Sequence, residues 1–368
     1  MRILRVGAAI GASIALALTA CGGPGSPSPA NPAGDGSVPA AANDLKGILQ
    51  GTGASSAKAA QDVWRAAFQT ANPGVTVNYS PDGSGAGRTA FAEGAAAFAV
   101  SDRALATGEL GGVFALCADG TRPLSLPVYV SPIGIVYNVA GVAELNLTAR
   151  VIAMIFTGRI TRWNDPAIAG LNPGIALPEL AITPVHRSDN SGTTENFTQT
   201  LAQAAPEVWT SEPSGDWPAD LGGEGGDKTQ GVVLAVQQGS GMIGYADISG
   251  VPVDMKMARY SRDGGDYVTA SAEAAAAVVS AARKADGRVA HDWALDLDRT
   301  VTGYPFVLVS YAIACQEYRN AATGRLVGAY LSYVVSADGQ QAAQPQTGNA
   351  PLSGVLAAGV QEAAGAIG

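Results

Sequence analysis

Cysteine, histidine and charge are scarce in this chain of 368 residues. Three cysteines and two histidines leave almost no soft or imidazole ligands, and none of them stands at a metal-ligand spacing. That excludes a zinc hydrolase and a disulfide-dense scaffold. The two histidines, His186 and His291, also offer little to serine-hydrolase chemistry. His186 directly precedes Arg187, and neighbours on a strand point to opposite faces. Ser84 is no nucleophile elbow, because Asp82 stands where G-x-S-x-G requires glycine. The P-loop pattern is missing, and no lysine directly follows a glycine. Charged residues make up only 14% of the chain, and their balance is acidic, with a formal net charge of −9. A nucleic-acid partner needs a basic face, so that class is excluded as well. Net charge says little about a buried site, where a few local donors suffice for an anion. No repeat of solenoid period is visible.

What is present is apolar residue, 47% of the chain, ample for a large core, over a length that suggests two domains. The first residues are a targeting segment. "MRILR" is basic, and the apolar run after it is too short to span a membrane as a mature helix. It ends in "LTAC", Leu18 to Cys21, which resembles the bacterial lipobox, with Cys21 as the acylated first residue of the mature protein. Residues 1–20 are therefore expected to be a lipoprotein signal peptide, and the acyl chains on Cys21 a membrane anchor on the outer face of the cytoplasmic membrane. Residues 21–44, rich in Gly, Pro and Ser, cannot bury a core and read as a flexible tether. The two remaining cysteines, Cys117 and Cys315, either bridge, as exported proteins allow, or stay as buried thiols.

From Leu45 onward short apolar runs alternate with helical spacing. "LKGILQGTG" reads as a strand, "SSAKAAQDVWRAAFQTA" as a helix, "GVTVNYS" as a strand, "GRTAFAEGAA" as a helix and "AFAVSD" as a strand. This βαβ alternation predicts an α/β fold with a largely parallel sheet. "LPVYVSPIGIVYN" and "YPFVLVSYAIAC" are long apolar strands that bracket a middle segment, the layout of two lobes with interrupted boundaries. The expected division is residues 45–128 with 301–368 in one lobe and 129–300 in the other. "RWNDPAIAGLNPG" has loop chemistry, and "AITPVHRSD" is a strand running into a turn before the helix "TTENFTQTLAQAA". The tryptophans read as core or lobe-edge residues.

Three turns share hydroxyls and glycines between a strand and a helix start: "GTGASSA", "DGSGAGR" and "SDNSGTT". Glycine lets a backbone approach a ligand closely, and free N–H groups at a helix start attract an anion. The same hydroxyls also cap helices for structural reasons alone, so residue types leave both readings open.

The longer stretches "VHRSDNSGTTENFTQTL", "GSGAG" followed by "FAVSDRAL", and "IFTGRITRWNDPAI" through "LNPGIALPELAITPVHRSD" resemble the phosphate-binding lipoproteins of high-affinity bacterial phosphate ABC transporters. "GVVLAVQQGSGMIGYADIS" and "GYPFVLVSYAIAC" continue the resemblance, which runs in order from about Leu45 to the end. It implies a two-lobed periplasmic-binding-protein fold of the Venus-flytrap type, closing on one inorganic phosphate in the interlobe cleft. It also implies a monomer without cofactor or catalysis, docking when closed on ABC permease subunits. The family's Arg-x-Asp-x-Ser-Gly-Thr falls on Arg187, Asp189, Ser191, Gly192 and Thr193, its Gly-Ser on Gly83 and Ser84, and its Ser-Asp on Ser101 and Asp102. The first turn departs from the family: Ser55 and Ser56 stand where many members have Thr-Phe, keeping one hydroxyl and one backbone N–H.

In this reading Arg187 supplies the strongest charge-assisted bonds and Asp189 orients it. Asp102 accepts the proton that phosphate carries and sulfate lacks. Three rivals remain: a sulfate or molybdate receptor, which Asp102 opposes; a phosphatase or serine hydrolase using Ser84 or Ser191, which lacks a base and a metal; and an adhesin or signalling lipoprotein on the same fold.

Overall fold

The computed structural model describes residues 45–300 and 303–368. The expected signal peptide, the tether and Cys21 lie outside these residues.

Local pattern explains most elements. In Lys58–Ala71 the buried residues Ala60, Gln61, Trp64 and Phe68 recur at helical spacing, so one face meets the core and the rest meets water. Strand Gly47–Gly53 buries Leu49 and exposes Ile48 and Gln50, the alternation of a half-covered sheet. The 16-residue strand Pro123–Asn138 is buried throughout apart from its last residue, as is the whole of Val307–Cys315. Near-continuous apolar runs of this kind belong to strands covered on both faces.

The main sheet has nine strands. Val75–Ser80, Gly47–Gly53 and Phe98–Ser101 pair in parallel at one end. Met242–Asp247, Thr183–Arg187 and Glu224–Gly226 pair in parallel at the other. The two long strands join these halves. Val307–Cys315 runs antiparallel both to Phe98–Ser101 and to Pro123–Asn138, and the latter runs antiparallel to Met242–Asp247. Parallel pairing therefore holds within each half and fails at the junction, so the sheet is mixed rather than largely parallel. A parallel neighbour requires a crossover, whereas a strand returning from the far end of the sheet pairs antiparallel. Along Pro123–Asn138 the partner changes from the returning strand, up to Pro132, to Met242–Asp247 from Ile133 onward.

Two local expectations shift. The helix read from residue 87 begins three residues earlier, at Ser84, because the chain turns at Gly83 with φ +100°. The loop at residues 162–174 contains one helical turn, Pro166–Ala169, with proline at its start and Asp165 Oδ1 accepting from Ala167 N at 2.8 Å. One apolar cluster runs through both halves and includes Trp64, Trp163 and Trp209, with Trp217 and Trp293 packed against it. Cys117 and Cys315 are joined by a disulfide that links positions 198 residues apart.

Candidate functional site

Four helix starts meet beside the middle of the sheet. They belong to Lys58–Ala71, Ser84–Glu93, Gly192–Ala204 and Lys228–Gln238. The first N–H groups of any helix lack a carbonyl one turn earlier, and the helix dipole makes that end positive. The hydroxyls at these starts meet either one another or the same residue, Asp102. Ser55 Oγ lies 3.0 Å from Thr229 Oγ1 and accepts from Thr229 N at 3.2 Å. Ser56 Oγ donates to Asp102 Oδ1 and Oδ2 at 2.7 and 2.9 Å. Ser84 Oγ accepts from the backbone N of Asp102 at 3.1 Å. Thr193 Oγ1 donates to Asp102 Oδ2 at 3.0 Å, and Ser191 caps its helix by accepting from Thr194 N.

Gly192 shows how tight this convergence is. A Cβ there would lie 2.6 Å from the Cβ of Asp102 and 2.8 Å from Ser84 Oγ. Gly83 is similarly constrained, since its Cβ would come within 2.6 Å of Asp189 Oδ2. Glycine at both positions lets segments from distant parts of the chain touch backbone to side chain.

Asp102 is buried at 3% exposure and accepts from three hydroxyls, the third being Ser310 Oγ at 2.7 Å. A bulge between Ser310 and Tyr311 in the returning strand shifts the register there, next to Ser101, which pairs with Tyr311. Burial pushes the Asp102 carboxyl upward, and this outweighs the opposing hydrogen bonds of Ser56, Ser310 and Thr193 and the charge of Arg187. Ser101 is fully buried, and its hydroxyl accepts from Arg88 Nη1 at 2.9 Å.

Arg187 ends a strand on the buried face, while His186 alternates away and stacks on Trp217 with ring centres 4.7 Å apart. The guanidinium grips Asp189 through two bonds, Nε to Oδ1 at 2.7 Å and Nη2 to Oδ2 at 2.5 Å. Nη1 has no hydrogen-bond partner among the described residues. Asp189 also accepts from the backbone N of Lys228 at 3.2 Å and lies 3.5 Å from its ammonium. Burial opposes the charge on Asp189, but Arg187 and Lys228 together hold its carboxyl below the ordinary value. Lys228 takes φ +59°, a left-handed conformation unusual for a side-chain-bearing residue, at the start of its helix.

The structure thus gathers Ser55, Ser56, Ser84 and Asp102 from one stretch of chain with Asp189, Gly192 and Thr193 from another. Ser191 and Arg187 flank the latter group. The hydroxyl of Ser56, at the position where the family pattern has an aromatic ring, is spent on Asp102. Sequence reasoning missed Ser310, Thr229 and Lys228. Ser310 left one signal, a polar residue inside a nine-residue apolar strand; Thr229 and Lys228 left none. A further buried carboxylate, Asp247, accepts from Tyr129 Oη at 3.1 Å and from Ser249 N at 2.9 Å. Burial, with Asp102 nearby adding to it, pushes it up to about 7. Ser249 Oγ in turn donates to the carbonyl of Ser56 at 3.2 Å. Among the described residues no cluster of three His, Cys, Asp or Glu side chains forms a metal site.

Comparison with known proteins gives a consistent picture. Residues 32–338 match the family model described as the PBP superfamily domain. Phosphate-binding protein PstS 2 of Mycobacterium tuberculosis is 35% identical over 365 residues, covering 96% of both chains. A phosphate-binding protein structure from Stenotrophomonas maltophilia superposes with a TM-score of 0.67 at 22% identity, over 86% of this chain and 93% of that one. A Clostridium perfringens protein, described as a phosphate ABC transporter substrate-binding protein and solved with bound phosphate, has a TM-score of 0.58 at 19% identity, over 82% and 98% of the two chains. The fold shared with these structures is of the two-lobed periplasmic-binding-protein type.

Proposed function

The chain belongs to the PstS phosphate-binding proteins of the PBP superfamily, and on that premise we propose that it captures inorganic phosphate outside the cytoplasm and delivers it to the permease of an ABC transporter. The family binds a solute for transport and performs no chemistry on it. The observation that carries the reading is the surrounding of Asp102: a buried carboxylate ringed by three hydroxyls, at a meeting of four helix starts, with the charge of Arg187 near enough to act on it.

In the proposed complex Ser55, Ser56, Ser84, Ser191, Gly192 and Thr193 supply hydroxyl and backbone donors to phosphate oxygens. Arg187 adds charge-assisted bonds and is held in place by Asp189. Arg187 with Lys228 and Asp102 with Asp189 are formally balanced, so attraction by net charge is weak and directed hydrogen bonds do the selecting. Phosphate near neutral pH retains a proton that Asp102 can accept. Sulfate has none, and would place an oxygen against an unpaired carboxylate lone pair.

The division into residues 45–128 with 301–368 against 129–300 places the site between two lobes, so lobe closure would cover the anion. Contacts such as Ser55 with Thr229 and Thr193 with Asp102 support this reading, since each joins the two segments. Anchoring through an acylated Cys21, with residues 21–44 as tether, and action as a monomer complete the proposal. Among the described residues no helix is long and apolar enough to cross a membrane.

The test is calorimetric titration of the mature protein, freed of bound anion, with phosphate, followed by competition with sulfate. Wild type should bind one phosphate that sulfate does not displace, and Asp102→Asn should let sulfate compete. Folded wild-type protein that takes up no phosphate would overturn the proposal and favour a receptor for another oxyanion or an adhesin.

A further inference from the structure

Adjoining this site, and sharing Asp102 with it, lies a cleft of about 470 Å³ whose walls also include Arg88, Arg103, Gln199, Arg288, Arg299 and Tyr311. Its charges are unevenly compensated. Arg103 is paired with Glu109 at 2.6 Å and Glu195 at 3.0 Å, and Arg88 lies 3.9 Å from Glu109. Asp296, also on the wall, is held by Arg283 at 3.0 Å. Arg299 differs from all of these. It is 1% exposed, and every acceptor it uses is uncharged: Gln199 Oε1 at 3.3 Å, Thr200 Oγ1 at 3.1 Å, the carbonyls of Pro305 and Val307 at 3.0 and 2.8 Å, and Asn196 Oδ1. A buried cation without a counterion is costly, and burial accordingly pulls this guanidinium down to about 10.

Two more donors accompany it. The Arg288 side chain is 7% exposed and pairs with Asp292 through Nη1, yet its buried Nε has no partner among the described residues. Tyr311 Oη accepts from Leu295 N at 3.2 Å, and its own proton has no acceptor among the described residues. We propose that this cleft is a second anion site, in which Arg299, Arg288 and Tyr311 hold a small, fully ionised oxyanion. Of the carboxylates on this wall, Glu195 and Asp296 are each engaged by an arginine and Asp102 by three hydroxyls, so a ligand held by Arg299, Arg288 and Tyr311 needs no proton to donate. The two sites are one side chain apart: Asn196 accepts from Arg299 and donates to the carbonyls of Asp102 and Gly192 at 2.6 and 2.9 Å.

Sulfate is the probe that separates them. Titrated at neutral pH into phosphate-saturated mature protein, it should bind once per chain with a dissociation constant of about 1 mM, equivalent to about −4 kcal/mol, and without releasing phosphate. Arg299→Gln should abolish this uptake. Because that variant loses bonds that join a helix to a strand, Arg288→Lys is the second arm. It keeps a cation beside Asp292, removes the Nε donor, and should weaken sulfate about fivefold, the worth of one hydrogen bond, with phosphate binding unchanged. No uptake up to about 10 mM sulfate, well above the expected constant, would overturn the second site. So would uptake that Arg288→Lys leaves unaltered, or uptake that displaces phosphate. If phosphate itself fails to bind, sulfate uptake sensitive to Arg288→Lys still supports this cleft, so the two proposals fail separately.

Discussion

Arg187 and Arg299 are both buried, at 3% and 1% exposure, and the molecule treats them oppositely. Arg187 meets a carboxylate head-on, in a two-bond grip whose partner is itself steadied by Lys228. Arg299 meets amide, hydroxyl and carbonyl oxygens only. The first arrangement neutralises the cation before any ligand arrives and leaves a rigid, pre-oriented donor. The second satisfies hydrogen bonds but leaves the charge standing. A balanced site discriminates by donor and acceptor geometry; an unbalanced one takes an anion for its charge.

Three substitutions probe this contrast. The largest effect is expected from Arg187→Gln. Loss of charge-assisted bonds should weaken phosphate by about ten- to a hundredfold, read by calorimetry, while sulfate uptake in the Arg299 cleft is unchanged. Equal losses at both would show a single shared site. Ser310→Ala removes one of three hydroxyls from Asp102 and should weaken phosphate about fivefold. Because that hydroxyl holds the carboxyl down against burial, its loss should also move the acid limit of phosphate binding to higher pH.

The smallest effect concerns stability rather than binding. Asp247 is pushed from 3.8 up to about 7 in the folded protein, so between those values the native state binds more proton than the unfolded chain. Its contribution to stability therefore falls as pH rises through that window. Asp247→Asn removes the penalty, and its melting temperature should exceed that of wild type at pH 8 by a few degrees, with the advantage gone at pH 4. A constant difference across pH would show that packing, not ionisation, sets the effect.

Much of this was legible in local sequence. Hydroxyl-glycine turns pointed to helix starts that could receive an anion, and the motif around residues 187–193 marked the arginine and its carboxylate. The strand-helix alternation revealed an α/β chain, and two long apolar strands marked where its halves join. Other features were illegible for identifiable reasons. The antiparallel junction depends on which end of the sheet a strand enters, which no short pattern records. Ser310 reaches Asp102 across 208 residues beside a register shift within its strand pair. Thr229 and Lys228 enter the site through a helix start with left-handed φ at a lysine, against local preference.

By itself the sequence determined the kinds of groups available: hydroxyls, one motif arginine, few metal ligands, and apolar runs long enough to be buried. These follow from composition and short-range periodicity, which act over a few residues. Only the tertiary structure decided which charges would be paired. Asp189 lies two residues from Arg187 and was within reach of inspection. The absence of a carboxylate around Arg299 among the described residues emerges only when residues 196–200, 299 and 305–307 pack together. Compensation of a buried charge depends on neighbours within a few ångströms in space, and in this fold those neighbours are up to about a hundred residues away along the chain.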